Sequence, residues 1–256
     1  MKTLLRFISW FNRKAKNFSI RLVKWTGKSK EYIHPKHLLP GEEHFWFVSL
    51  LKSDDVLLDL GCGGGAHSLA ATTVAKSVRG IDHSERNLRI AENLAKRAGI
   101  ANTNFKSGSL ENAIEESSDS YTSILALDIL EHLVNRDQFL KEIYRLLKPG
   151  GRLFLSVPNR DTKWKRLLKR HGLFFFSDLD HKHEYTKVEI EELLKQHGFS
   201  IMSLNLTVYD TPWVGLIDVV GGISLSIYKR LMAWKVNQVS KEPNETTGFR
   251  IVAVKN

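Results

Sequence analysis

Apolar positions along this chain of 256 residues change their period several times, and each change predicts an element. From Leu4 to Trp25 they recur at alternating spacings of four and three, through Ile8, Phe11, Ala15, Phe18 and Leu22. That spacing predicts one long amphipathic helix. Residues 27–41 are polar, contain Pro35 and Pro40, and read as a connector. Residues 42–51 predict a short helix carrying Phe45, Trp46 and Phe47 over the first strand. Val56–Leu60 is an unbroken apolar run holding a single acid, as expected of a strand buried on both faces. Further strands are predicted at residues 78–82, 103–106, 121–127, 152–157, 201–209 and 248–254. Helices are predicted over 66–75, from Ser84 to Gly99, over 136–147, and from the capping box Thr186–Glu189 through His197.

Alternation of strand and helix through residue 157 predicts an α/β fold with a doubly wound parallel sheet. Such sheets bind ligands beyond the carboxyl ends of their strands. Asp82, Ser109, Asp128, Glu131, His132 and Asn159 all follow predicted strand ends and are expected to converge on one crevice. The first strand runs into Gly61, Gly63, Gly64 and Gly65, with Asp59 just before them. Glycine there permits positive φ and close approach of a ligand to the backbone. Asp82, at the end of the next strand, stands where nucleotide-binding units place an acid on ribose hydroxyls.

Composition changes the picture mainly through where the charge lies. The formal net charge is +10, and the first thirty residues hold nine Lys/Arg and no acid. The helix predicted there has two readings of equal weight, a cap on the domain's own core or a helix lying on a membrane surface. Each Lys or Arg near an anionic bilayer contributes roughly 1 kcal/mol. Nucleic acid ranks lower, because no binding motif accompanies the charge. Arg6 interrupts the apolar segment and argues against a signal peptide. The single cysteine, Cys62, excludes a disulfide framework and fits a reducing, cytoplasmic setting. Its place inside the glycine bend reads as structural.

The chain divides on this reading into a basic arm, residues 1–40, and one domain, residues 41–256. Within that domain, residues 160–184 form a basic and aromatic lid segment, and 210–246 an apolar insertion. Between Trp213 and Tyr228 the only charge is Asp218, and Gly221-Gly222 interrupts the run. That is too short to span a bilayer and reads as a helical hairpin or interfacial helix, or as a surface buried against the arm. His181 and His183 are possible metal ligands, though their spacing in a loop is weak support.

Val56–Ala66, Gly80-Ile81-Asp82, Leu127–Leu133 and Leu146–Gly151, in this order and spacing, resemble the class I S-adenosylmethionine (SAM)-dependent methyltransferases. Leu130-Glu131-His132, Lys148-Pro149-Gly150-Gly151, Asn159-Arg160 and His181-Lys182-His183 are similar to the ubiquinone-biosynthesis O-methyltransferases. The resemblance implies a Rossmann-like sheet of seven strands, mostly parallel, with an antiparallel last strand and the insertion between strands six and seven. It implies SAM as methyl donor. Gly61 and Gly63 would pass the methionine moiety and Asp59 would support the bend. Asp82 would hold the ribose, Ser109 and Leu110 would flank the adenine, and Leu127 would line the donor. Cys62 and His83 fall among the same cofactor-binding positions. Ser109 departs from the commoner acid of the family.

An oxygen nucleophile must also lose its proton, and His132 is the candidate base with Glu131 beside it, against a structural reading of at least equal weight. The resemblance offers Asp128, Glu131 and His132 as Mg²⁺ ligands, although imidazole suits that ion poorly. The expected acceptor is a lipidic or polyprenyl/quinone-type molecule at a membrane surface. The alternatives are a soluble small molecule or sugar, and a binding module without catalysis.

Overall fold

A computed structural model describes residues 1–30, 32–39 and 44–256. It contains a sheet of seven strands in the order β3-β2-β1-β4-β5-β7-β6. These are β1 (Val56–Leu60), β2 (Ser77–Asp82), β3 (Thr103–Ser107), β4 (Tyr121–Leu127), β5 (Leu147–Pro158), β6 (Phe199–Leu206) and β7 (Gly248–Lys255). Strands β1 to β5 pair in parallel, and β7 runs antiparallel. The order reverses at β1, which pairs with β2 on one side and β4 on the other. Such a switch point opens a crevice at the strands' carboxyl ends.

Leu57, Leu58, Leu60, Ile124, Leu125 and Phe154 are buried completely. A doubly covered parallel sheet requires such unbroken apolar strands. The crossovers are α2 (Ala66–Ala71), α3 (Glu85–Arg97) and α4 (Arg136–Leu146). Helix α2 ends four residues before the apolar pattern does. Thr72 and Thr73 turn their hydroxyls back onto the carbonyls of Leu69 and Ala70, at 2.6 and 2.7 Å, which competes with the helical ladder. The capping box at Thr186 and Glu189 forms as predicted and starts the helix Lys187–Gln196.

Of the helix predicted over residues 42–51, the part at 42–43 lies outside the described residues, as does Pro40 of the connector. The rest holds one 3-10 turn, Val48–Leu50. Phe47 is fully buried there and packs with Leu57, Leu125 and Phe154.

Two compact units emerge. The first comprises residues 1–44, 159–176 and 206–248, and the second residues 45–158, 177–205 and 249–256. Most of the sheet lies in the second. In the first, α1 (Lys2–Trp25) packs against α7 (Val214–Ile223), and α8 (Leu225–Lys241) follows α7. The remaining helices are α5 (Lys163–Arg170), in this unit, and α6 (Lys187–Gln196), in the other.

Helix α1 forms as predicted, but its apolar stripe is not the buried face. Of its seven positions only Ala15 is buried, and the buried line is Leu5, Ala15, Ser19 and Val23. The cause is the partner surface. A Cβ on Gly215 would stand 2.9 Å from the Ala15 Cβ, and one on Gly222 only 2.6 Å from the Leu22 Cβ. A glycine-lined helix makes close contact through small side chains, so the aromatic positions turn away.

Candidate active site

The glycine bend is built from backbone hydrogen bonds. The amides of Gly61 and Cys62 both donate to the Ile81 carbonyl, at 2.8 and 3.1 Å, and Gly65 N donates to the Cys62 carbonyl. Gly61, Gly63 and Gly65 all adopt positive φ. They differ in surroundings. A Cβ at Gly61 would meet Ile129 at 2.1 Å, and one at Gly65 would meet Ala91 at 2.6 Å, whereas one at Gly63 would meet nothing within 4 Å. The open face of the bend is therefore at Gly63.

Asp59 is buried and accepts the Ser68 hydroxyl at 2.6 Å, tying β1 to α2. Burial raises its carboxyl above the usual range, against the opposing pull of His67 and Ser68. Asp82 ties the bend to the next element, since it accepts Gly63 N at 2.9 Å on one oxygen and Ser84 N at 2.8 Å on the other. Each oxygen keeps further lone-pair capacity. His83 is largely exposed beside it. The Cys62 thiol is buried, and burial together with Asp59 and Asp82 raises its pKa. Its sulfur packs toward Gly80, and the raised pKa disfavours the thiolate.

Beyond β3 a cleft is lined by Ile81, Ser107, Gly108, Ser109, Asn112 and Ile114. The Ser109 hydroxyl accepts Glu111 N at 3.2 Å. Leu127, at the end of β4, is almost wholly buried. Asp128 follows with φ of 54°, an uncommon conformation for a residue with a side chain. Its carboxylate accepts the Ser156 hydroxyl at 2.8 Å. This reversal leads into the 3-10 turn Leu130–His132.

That turn receives a second chain segment. The amides of Lys182 and His183 donate to the Glu131 carbonyl at 2.7 and 3.2 Å. The rings of His132 and His181 meet edge to face with centroids 4.7 Å apart. His181 Nδ1 lies 2.7 Å from Oε1 of the buried Glu184. Burial first, and His181 second, lowers the pKa of His132, which favours its neutral, proton-accepting form. His181 and Glu184 are neighbours of His132 that the motif at 130–132 does not disclose. Their i, i+3 spacing in the sequence is the one signal of that pairing. His183 instead packs on Tyr185.

The Mg²⁺ reading meets a different donor set. Glu131, His132 and His181 bring one ligand atom each within 4.8 Å of one another, and Asp128 is outside that group. Two imidazoles and a carboxylate are not the oxygen shell that Mg²⁺ takes. Asn159 belongs to the first unit. Its amide there donates to the carbonyls of Asn244 and Thr246.

The family model described as a methyltransferase domain matches residues 32–204. The chain belongs to the SAM-dependent methyltransferase family. It is 28% identical over 170 residues to the mitochondrial ubiquinone biosynthesis O-methyltransferase of Mus musculus, covering 62% of this chain and 45% of that protein. It is 35% identical over 107 residues to the ubiquinone biosynthesis O-methyltransferase of Paracidovorax citrulli, covering 42% and 45%. The chain thus spans less than half the length of these relatives. Among solved structures, a SAM-dependent methyltransferase from Methanosarcina mazei shares the fold at a TM-score of 0.57 and 24% identity, over 85% of this chain and 98% of that one. The [4+2]-cyclase SpnF shares it at 0.62 and 19%, over 84% and 81%. The fold thus also carries an enzyme named for other chemistry, and the reaction must be argued from the site.

Proposed function

We propose that this chain methylates an oxygen of a lipidic or polyprenyl/quinone-type acceptor at a membrane surface, with SAM as donor and His132 as base. The observation that carries the oxygen-directed chemistry is the relay from buried Glu184 through half-buried His181 to half-buried His132, just beyond the end of β4. β4 pairs directly with the strand that carries the glycine bend. The names of the matched O-methyltransferases support the acceptor class.

SAM, when bound, supplies a methyl group activated on a sulfonium. The residues present fit such a molecule, because the bend is open at Gly63 and Asp82 offers its remaining acceptor capacity to sugar hydroxyls. In this reading Ser109 and Leu110 flank the base, Leu127 floors the site, and Asp59 keeps β1 and α2 in register around the bend. Holding donor and acceptor in line supplies much of the acceleration in a methyl displacement. An acceptor hydroxyl must also lose its proton, and neutral His132 takes it. His181 positions the base, with Glu184 fixing the His181 ring through Nδ1. Glu131 anchors the 181–184 segment to the turn by its carbonyl.

A transfer assay with radiolabelled methyl donor tests the reading, using a polyprenyl catechol in mixed micelles beside a water-soluble catechol and a sugar. Label in the polyprenyl ether, lost in the His132→Ala variant but not in its SAM affinity, is the expected result. Label only in the sugar or a soluble metabolite refutes the lipidic acceptor. Absence of SAM binding by calorimetry refutes the enzyme.

A further inference from the structure

We infer that the outer strip of α1 is a preformed docking face for an anionic lipid bilayer. The inference rests on the proposed function only for the acceptor's location, since the docking itself is independent of methyl transfer. Helix α1, α7 and α8 lie outside the residues matched by the family model, so the fold's shared chemistry does not account for them.

The face follows from how α1 is held. Its inner line packs on the glycines of α7, and the contact is pinned by Asn12. The Asn12 side chain accepts Gly215 N at 3.1 Å and donates to the Pro212 carbonyl at 3.0 Å. Thr26 at the helix end donates to the Gly222 carbonyl at 3.0 Å. The helix is therefore ordered before any partner arrives, and no folding entropy is lost on docking.

On the outside, Leu4, Phe7, Phe18 and Trp25 are 56%, 59%, 44% and 69% exposed. At 100° per residue they fall within roughly 60° of arc. Lys14 and Arg21 border this arc on the side away from α7, and both are exposed. On α7, Leu216 and Ile223 are exposed directly after the two glycines that touch α1. An apolar strip edged by cations on a folded helix is the arrangement that lies in the headgroup region of a membrane.

Charge complementarity selects the occupant. Residues 1–30 carry nine positive side chains and no acid, matching a surface of anionic lipid. No described helix is long and apolar enough to cross a membrane, so the geometry is that of a helix lying on the surface. Nucleic acid fits less well, because no nucleic-acid-binding motif accompanies the charge.

The full chain is tested by flotation with phosphatidylcholine vesicles and with vesicles containing about 30 mol% phosphatidylglycerol. The expected result is binding to the anionic vesicles at least tenfold tighter than to the neutral ones, weakened by salt. The Phe7→Ser/Phe18→Ser/Trp25→Ser variant should lose at least tenfold of it. The Lys14→Glu/Arg21→Glu variant provides a second reading that leaves the apolar strip intact, and should lose affinity for anionic vesicles only. Calorimetry with SAM, unchanged in both variants, shows that the donor site survives. No flotation of the wild type at low salt, wild-type flotation of the triple variant, or retention on RNA in place of vesicles overturns the proposal. Methylation of a soluble catechol is measured in parallel, so failure of docking and failure of the enzymatic reading are separate results.

Discussion

Gly61 and Gly63 stand two positions apart and need glycine for different reasons. Both adopt positive φ, at 74° and 51°, which costs an L-residue roughly 1–2 kcal/mol. Only at Gly61 does a methyl group also collide, with the Ile129 side chain. Overpacking of that kind adds roughly 1–3 kcal/mol. Gly61→Ala is therefore expected to lose about 2–5 kcal/mol of stability in urea unfolding. Gly63→Ala should lose only the backbone share while weakening SAM in calorimetry. Equal stability losses would refute this division of roles. His132 carries a second residue-scale prediction. Burial and His181 hold its pKa below the ordinary imidazole value. With the neutral ring as the proposed base, kcat/KM should be level at high pH and fall as pH drops, with its inflection below about 6.5. Replacing His181 with Ala removes the second cause, and the inflection should then move upward while SAM affinity holds. An inflection that stays in place refutes His181 as the positioning group.

At the scale of elements, the contact between α1 and α7 depends on two glycines placed seven residues apart. A larger side chain at Gly222 would press on Leu22 Cβ at 2.6 Å and on the Ser19 carbonyl at 3.0 Å. Backbone does not yield cheaply, so Gly222→Leu is expected to lose about 1–3 kcal/mol and to speed proteolysis within α1. Unchanged proteolysis would mean that the seam does not hold the helix. This element also shows what can be read from a chain and what cannot. The helix itself was legible, because its apolar spacing is set within twenty-odd residues. Its buried face was not, because that is chosen by α7, far along the chain. The sheet was legible for the opposite reason. A parallel strand is covered on both faces wherever its neighbours lie, so Val56–Leu60 and Tyr121–Leu127 read correctly without them. The glycine bend and Asp82 were legible because one strand–turn–strand unit contains them. The meeting of His132 with His181 needed the fold, which brings two distant segments together through the Glu131 carbonyl.

Over the whole molecule, charge and chemistry are carried by different parts of the chain. Nearly all the net positive charge lies in residues 1–30, whereas Asp82, His132 and His181 lie in the sheet-bearing unit. Salt should therefore separate the two functions. Raising ionic strength from about 0.1 M to about 1 M shortens the screening length from roughly 10 to 3 Å. That weakens attraction of the arm to an anionic surface, while the half-buried His132, proposed as the base beside His181, is screened less. Turnover of a water-soluble acceptor should accordingly change little across this range. Turnover of an acceptor embedded in anionic vesicles should fall severalfold, through a higher apparent KM at constant kcat, because docking supplies encounter rather than chemistry. A fall in kcat instead would mean that the arm acts on the catalytic groups, and an identical salt response for both acceptors would mean that the arm takes no part in delivering the substrate.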